Sequence, residues 1–541
     1  MPEVFQTPQG SLALSQVAEA LLQATKAIKP RQKPDDYSKI TVSRAVSFFA
    51  LAYEKIRNAI EFREDHLIRR AAIERIVKRR LSMNAKADGE ATNVVRELLW
   101  ARYFPSDSLC ELDVHKVQEI MTIYAKLRSI LITGRSRSIS KYYDNFLLDL
   151  LTCEIEEVLS LDDSQRENIF TYFIFQSLKN KIKVEGLGVD VQNAFLLTAI
   201  EKAYRKSDVP YQRYHLFTVF YQPLAKYSPS ELDSLAPKLP QIFEKIDDTL
   251  RSPMVEKIGR FVRKQLPPFL ILFGLLRNKL QNGFDEIIKD KAKLWSEVDI
   301  LCRQRYAGVQ KRLRVLAIRS LIYVFITKML LAIALEGPLS QYFYGEIEWI
   351  SIIINSLFPP IFLTVIILFN RLPDEENTRR IYYRIVDIID ADQSFENKVI
   401  MIAQQVKIRR PVLQIGFTIF YIATFVVTLY LIHLILLLLN FNLISQAIFL
   451  FFISTIAFFA HRIKSISSEY KLIEKDSFFT PFIDFFFMPM LAMGKFFSSE
   501  LAKLNFFTFI FDVLIEAPYK LIIEVVEEWI SFTRRKKEEI V

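Results

Sequence analysis

The stretch Val412–Ala460, VLQIGFTIFYIATFVVTLYLIHLILLLLNFNLISQAIFLFFISTIAFFA, consists of two apolar runs joined by Asn440-Phe441-Asn442. Neither Val412–Leu439 nor Leu443–Ala460 contains an Asp, Glu, Lys or Arg. About 20 apolar residues of helix cross the hydrocarbon core of a bilayer. A soluble protein could bury one such helix, but two in tandem with a three-residue turn are typical of a membrane hairpin. The sequence therefore predicts an integral membrane protein.

Two further apolar segments precede this hairpin and bring the predicted bundle to about four spans. Trp349–Phe369 is the stronger of the two, and we expect Pro359-Pro360 at its centre to break the helix. The segment 320–335 is weaker because Lys328 lies in its middle. In an alternative arrangement, 349–369 folds back at the proline pair as a re-entrant hairpin and 320–335 lies at the membrane surface.

Basic residues alternate between the loops and predict the orientation of the chain. The segment Gly337–Glu348 has no Lys or Arg, whereas Asn370–Arg410 has eight. The 440–442 turn has none, and the region after Ala460 is basic again. Basic loops stay in the cytoplasm, so we expect a multi-pass protein of the cell membrane with both termini cytoplasmic. Residues 1–10 lack the features of a signal peptide, so the first span is expected to act as the insertion signal.

The half of the chain before the spans is highly charged and predicted to be all-α. Its apolar residues recur at intervals of three and four, and Gly is scarce (13) while Phe is abundant (45). We interpret this half of the chain as a polar segment at 1–40 with one short helix, followed by a soluble cytoplasmic helical domain at 41–310. A transmembrane region at 311–462 and membrane-surface or re-entrant helices at 463–541 follow, the last with a basic tail.

Two basic clusters are expected to contact anionic lipid head groups or an acidic partner. Between them, charged residues recur every four positions from Asp512 to Glu524 beside a wide apolar face, which is typical of an amphipathic helix in the interface. The net charge of +10 suits anionic lipid, and nucleic acid is disfavoured because no recognition module accompanies the charge. The clusters comprise Arg69, Arg70, Lys78, Arg79 and Arg80, and then Arg534, Arg535, Lys536 and Lys537.

Lys328 is the single residue that points most strongly to a function. It would lie near mid-membrane if the helix enters at Arg319, where a charge costs roughly 2.5–3.5 kcal/mol and needs a partner or water. In the structural alternative, the helix lies closer to the membrane surface and the Lys328 side chain snorkels to the interface. His433 is expected to make a helix–helix hydrogen bond. The candidate intramembrane polar site comprises Lys328, Asn355, Pro359, Pro360, His433 and Asp484, with Glu336 as another potential partner.

The sequence gives no support for catalytic, cofactor or metal chemistry. The three cysteines are far apart, the five histidines are scattered, and neither His-Glu-x-x-His nor Cys-x-x-Cys occurs. No phosphate-binding glycine loop or Gly-x-Ser-x-Gly elbow is present. Glu154, Glu156 and Glu157 share one predicted helix and are expected to form a solvated face.

Two functions follow as hypotheses. The first is a membrane-anchored interaction or scaffold protein that binds an unidentified protein partner through its large cytoplasmic domain; a homo-oligomer is compatible with this role. The alternative is a component of a transport or translocation system with a polar path near Lys328 and Pro359-Pro360. Polar residues converging inside the bundle would favour the alternative.

Overall fold

A computed structural model describes residues 8–28, 38–40, 65–84, 86–106, 108–279, 283–345, 349–369, 372–391, 400–402, 411–472 and 488–496. It also describes residue 347 and some residues in 42–55 and 525–533. The chain divides into two compact units. The helical unit comprises 16–263, 396–404 and 506–541, and the membrane unit comprises 1–15, 264–395 and 405–505.

The described secondary structure is almost entirely helical, which confirms the all-α prediction. In chain order, the helices and strand that begin before residue 264 are α1 (Gln16–Ala27), α2 (Asp65–Met83), α3 (Glu90–Trp100), α4 (Glu111–Ile132), α5 (Arg137–Leu159), α6 (Leu161–Leu178), β1 (Ile182–Val184), α7 (Val189–Ala203), α8 (Val209–Phe220), α9 (Pro229–Leu235), α10 (Leu239–Arg251) and α11 (Pro253–Lys279). There follow α12 (Phe284–Lys289), α13 (Lys291–Leu331), a π-helix (Ala332–Glu336), α14 (Gly337–Tyr344), α15 (Trp349–Phe369), α16 (Glu375–Ile389), β2 (Ile400–Ile402), α17 (Pro411–Leu438) and α18 (Leu443–Ser467).

The helical unit is built around α5, which packs against α2, α4 and α8. Its apolar core includes Phe146 and Phe243, whose rings stack with centroids 3.9 Å apart. The sequence predicts one helix over 229–249, but α9 and α10 are separated by a 3₁₀ turn. Pro237 and Pro240 lie at this division, where their missing N–H groups interrupt regular helical bonding. The exception to helix is β1, which pairs in parallel with β2 over three residues.

Paired prolines do not break helices in this chain. The sequence predicts a helix start at Pro267-Pro268 and a break at Pro359-Pro360, and both predictions are wrong. Instead, α11 and α15 run continuously through these pairs. Each pair removes the donors for only two carbonyl groups, and a buried apolar residue, Phe269 or Leu363, packs the helix shortly after each pair.

In the membrane unit, α13 packs on α15, α16 and α18. It is one helix of 41 residues and passes through residue 310, where the sequence predicts the domain boundary. Among the described residues, three helices are long and apolar enough to cross a membrane. Their candidate spans are Trp349–Ile367, Ile415–Leu438 and Leu443–Ala460. The prediction of a helical membrane protein is therefore supported, and 320–335 is not among these three.

Two parts of the sequence-based interpretation lie outside the described residues. These are the charged stripe from Asp512 to Glu524 and the basic tail of Arg534, Arg535, Lys536 and Lys537. Asp484, a predicted member of the intramembrane site, also lies outside them. The described part of this region includes a helix over 488–496. Its Gly494 lies against α18, where a Cβ atom would come within 2.1 Å of the Ser454 carbonyl oxygen.

Candidate functional site

The membrane unit contains a fully buried ion pair. Lys328 Nζ lies 2.9 Å from Glu336 Oε2, and neither side chain has solvent-accessible surface. Snorkelling would expose the Lys328 ammonium group to water, whereas here it is paired within the protein. The same ammonium lies 5.2 Å from the ring centroid of Phe452 on α18, within cation–π range.

The π-helix determines where Glu336 points. Along a regular α-helix, two residues eight positions apart are about 80° apart around the axis. The wider turn of the π-helix at Ala332–Glu336 reduces this angle and brings Glu336 towards the face that carries Lys328. Gly337 and Pro338 follow at the start of α14, where proline is tolerated in the first turn.

Asn355 connects this pair to two other helices. Its Nδ2 donates to Glu336 Oε1 over 2.8 Å and to the backbone carbonyl of Ser445 over 3.1 Å. Lys328 and Asn355 therefore occupy both carboxylate oxygens of Glu336. One turn away, Ser351 Oγ and Ser445 Oγ are 3.4 Å apart. The polar centre defined by Lys328, Glu336, Asn355 and Ser445 joins the end of α13, the π-helix, α15 and α18.

The proline pair releases two backbone carbonyl groups beside this centre. Because Pro359 and Pro360 have no N–H, the carbonyl groups of Asn355 and Ser356, four residues earlier, lose their helical donors. Asn355 Oδ1 and Ser356 Oγ are buried and have no hydrogen-bond partner within the described part of the chain. The proline pair thus contributes through the carbonyl groups that it releases, although the helix continues.

His433 belongs to a neighbouring interhelical contact. Its Nδ1 is 2.6 Å from Gln446 Oε1, which confirms the predicted helix–helix hydrogen bond between α17 and α18. Gln446 Nε2 donates to the carbonyl of Phe441 in the connecting turn. Because Gln446 follows Ser445, this contact adjoins the polar centre on α18. The structure thus brings together Lys328 and Asn355, with the carbonyl groups released by Pro359 and Pro360 beside them.

The first basic cluster is largely engaged inside the helical unit. Arg70 has 1% of its side chain exposed and binds Asp208 over 2.7 Å and Glu74 over 2.8 Å. Arg69 pairs with Glu156, and Arg79 and Arg80 pair with Glu97, whereas Lys78 is exposed. Each of these four arginines donates a hydrogen bond to a carboxylate of the same unit. Contact of the cluster with lipid remains a prediction.

The expectation of a solvated acidic face on α5 is wrong. Glu154 and Glu156 are buried, and Glu154, Glu156 and Glu157 each accept a tyrosine hydroxyl, from Tyr124, Tyr211 and Tyr214 respectively. Burial raises the pKa of Glu154 to about 7 and the pKa of Asp149, also on α5, to about 6, although Tyr124 and Arg213 oppose these shifts.

The described residues bring no three His, Cys, Asp or Glu side chains together as metal ligands.

Sequence reasoning missed Ser445 as a member of the polar centre and treated Glu336 as only one of several partners for Lys328. The separation of eight residues between Lys328 and Glu336 is not a regular helical pairing distance, so no periodic pattern indicates it. Searches against protein-family profiles, curated proteins and solved structures find no match for this chain.

Proposed function

We propose that this chain is an integral membrane component of a transport or translocation system, with Lys328, Glu336 and Asn355 as its working polar centre. The observation that carries this proposal is the fully buried Lys328–Glu336 pair with both carboxylate oxygens occupied. Ionisable residues inside a membrane are energetically unfavourable, and they mark ion pathways and proton relays when they face the bundle interior. Convergence of polar residues from α13, α15 and α18 favours transport over the scaffold hypothesis.

The proposal includes 320–335 as a fourth membrane segment. This segment is helical throughout, first as α13 and then as the π-helix. Its exposed apolar side chains recur at helical spacing and would face lipid, whereas Lys328, Ala332 and Glu336 lie on the buried face. The exposed set comprises Ile322, Phe325, Ile326, Met329, Leu330, Ile333 and Leu335. Four spans place both termini on the cytoplasmic side, in agreement with the basic loops.

Reconstitution of the purified full chain into liposomes tests this function. Separate gradients of H⁺, Na⁺, K⁺ and Cl⁻ are applied, and ion movement is compared with that in protein-free liposomes. We expect movement of at least one ion that Lys328→Leu reduces and that Lys464→Leu, at an exposed lysine on α18, leaves unchanged. Equal leak for protein-containing and protein-free liposomes under every gradient would reject the transport function.

The second candidate is a membrane-anchored interaction protein that binds a protein partner through the helical unit. Exposed apolar residues at helix ends favour it: Val219 and Phe220 end α8, and Val189 and Val191 lie at the start of α7. Full-length protein purified from native membranes should then retain a partner that the Phe220→Asp variant loses and the Lys116→Asp variant, at an exposed position on α4, keeps. If the wild type and both variants co-purify with the same proteins, this surface is not the binding site.

A further inference from the structure

We infer that the species handled at the polar centre is a proton, exchanged within the Lys328–Glu336 hydrogen bond. This inference rests on the proposed transport function and names its substrate class. Three observations carry it: the occupancy of the carboxylate, the geometry of the ion pair, and the unsatisfied acceptors on α15.

The occupancy of Glu336 disfavours a metal cation. Lys328 donates to Oε2 and Asn355 donates to Oε1, so both oxygens already have nitrogen-bound donors. A metal ion would have to displace one donor and would approach an ammonium group of the same sign of charge. Among the described residues, Glu336 is the carboxylate that pairs with Lys328.

A proton can move within this arrangement without displacing any heavy atom. Over the 2.9 Å contact, one N–H bond of the Lys328 ammonium breaks and an O–H bond forms at Glu336 Oε2. The ion pair becomes a neutral amine beside a neutral carboxylic acid, and the net charge is zero before and after. This transfer step therefore leaves no isolated charge in the apolar interior, which would be the costly state.

The acceptors on α15 provide the next positions for a proton carrier. Asn355 Oδ1 belongs to the amide that already contacts Glu336, and it is free to accept a hydrogen bond within the described structure. Ser356 Oγ and the two carbonyl groups released by the proline pair add acceptors along the same helix. A water molecule held by these oxygen acceptors would deliver the proton to Glu336 or take it away.

Liposomes that contain the full chain and an internal pH-sensitive dye test this inference. A K⁺ gradient with valinomycin sets the membrane potential, and the rate of internal pH change is measured for wild type and variants. We expect Glu336→Gln to lower the rate to that of protein-free liposomes. Glu376→Gln, the same change at an exposed position on α16, should keep the wild-type rate.

A double variant separates folding from proton transfer. Lys328→Met with Glu336→Gln leaves no isolated charge, so we expect a folded protein by thermal unfolding that moves no protons. Wild-type proton flux in the double variant would overturn the inference. Movement of Na⁺, K⁺ or Cl⁻ without protons by the wild type would also overturn it while leaving the transport function intact. Movement of no ion at all would reject both.

Discussion

Glu336 follows Lys328 by eight residues, and a five-residue π-helix turns its carboxylate to within 2.9 Å of the Lys328 ammonium. The two charges belong to one continuous helical path, so their contact depends on local helix geometry. Asn355 then fixes the carboxylate from a second helix. The energetic cost of burying each charge is therefore offset by the other charge and one amide.

Removal of one charge should destabilise the protein more than removal of both. Lys328→Met leaves Glu336 buried without its counter-charge, and breaking a buried pair costs about 3–5 kcal/mol. Lys328→Met with Glu336→Gln should recover most of this loss. Thermal unfolding in detergent of the wild type, both single variants and the double variant measures the coupling. Additive losses in the double variant would contradict the prediction.

Insertion of one alanine after Ala334 should separate the ion pair. One more residue rotates Glu336 away from Lys328 by up to about 100°, the angle per residue of an α-helix. We expect a loss of stability similar to that of Lys328→Met. Ala334→Ser, which changes the same exposed position but keeps the chain length, is the control. Equal unfolding temperatures for the insertion and the control would show that the π-turn does not position Glu336.

The stability of α5 should fall as pH rises through the neutral range. Folded Glu154 holds its proton up to about pH 7, whereas the unfolded chain releases it above about 4.5, so the folded state binds more protons between these values. The loss between pH 4 and pH 8 should be about 3 kcal/mol for this group. Hydrogen exchange of α5 amides in the full chain, corrected for intrinsic rates, measures it. Glu154→Gln should flatten the profile, and Glu167→Gln, at a more exposed site, should not.

Arg70 and Lys78 should respond differently although both belong to the predicted basic cluster. Arg70→Met removes the buried guanidinium group that pairs with Asp208 and should lower the free energy of unfolding by about 3–5 kcal/mol. Lys78→Met changes an exposed side chain and should stay within about 0.5 kcal/mol. Hydrogen exchange of α2 amides compares the two variants. Similar protection in both would mean that Arg70 is not a structural member of the unit.

Thiol labelling of intact cells should reveal the orientation. The native cysteines Cys110, Cys153 and Cys302 are buried, which lowers the background. We expect Tyr342→Cys, at an exposed position on α14, to react with an impermeant maleimide from outside. Arg380→Cys, on α16 in the basic loop, should react only after permeabilisation. Labelling of the second variant in intact cells would reverse the proposed sidedness.

The sequence by itself determined the helical class and the apolar segments that are long enough to cross a membrane, and it singled out Lys328. These follow from uncharged runs such as Val412–Leu439 and from a lone charge in an apolar segment, because helix period and the cost of charge in lipid are local properties. The tertiary structure alone decided that Glu336 pairs with Lys328, that Asn355 binds the same carboxylate, and that Glu154 is buried. A π-turn and helix packing determine these contacts, and neither leaves a periodic trace in the sequence.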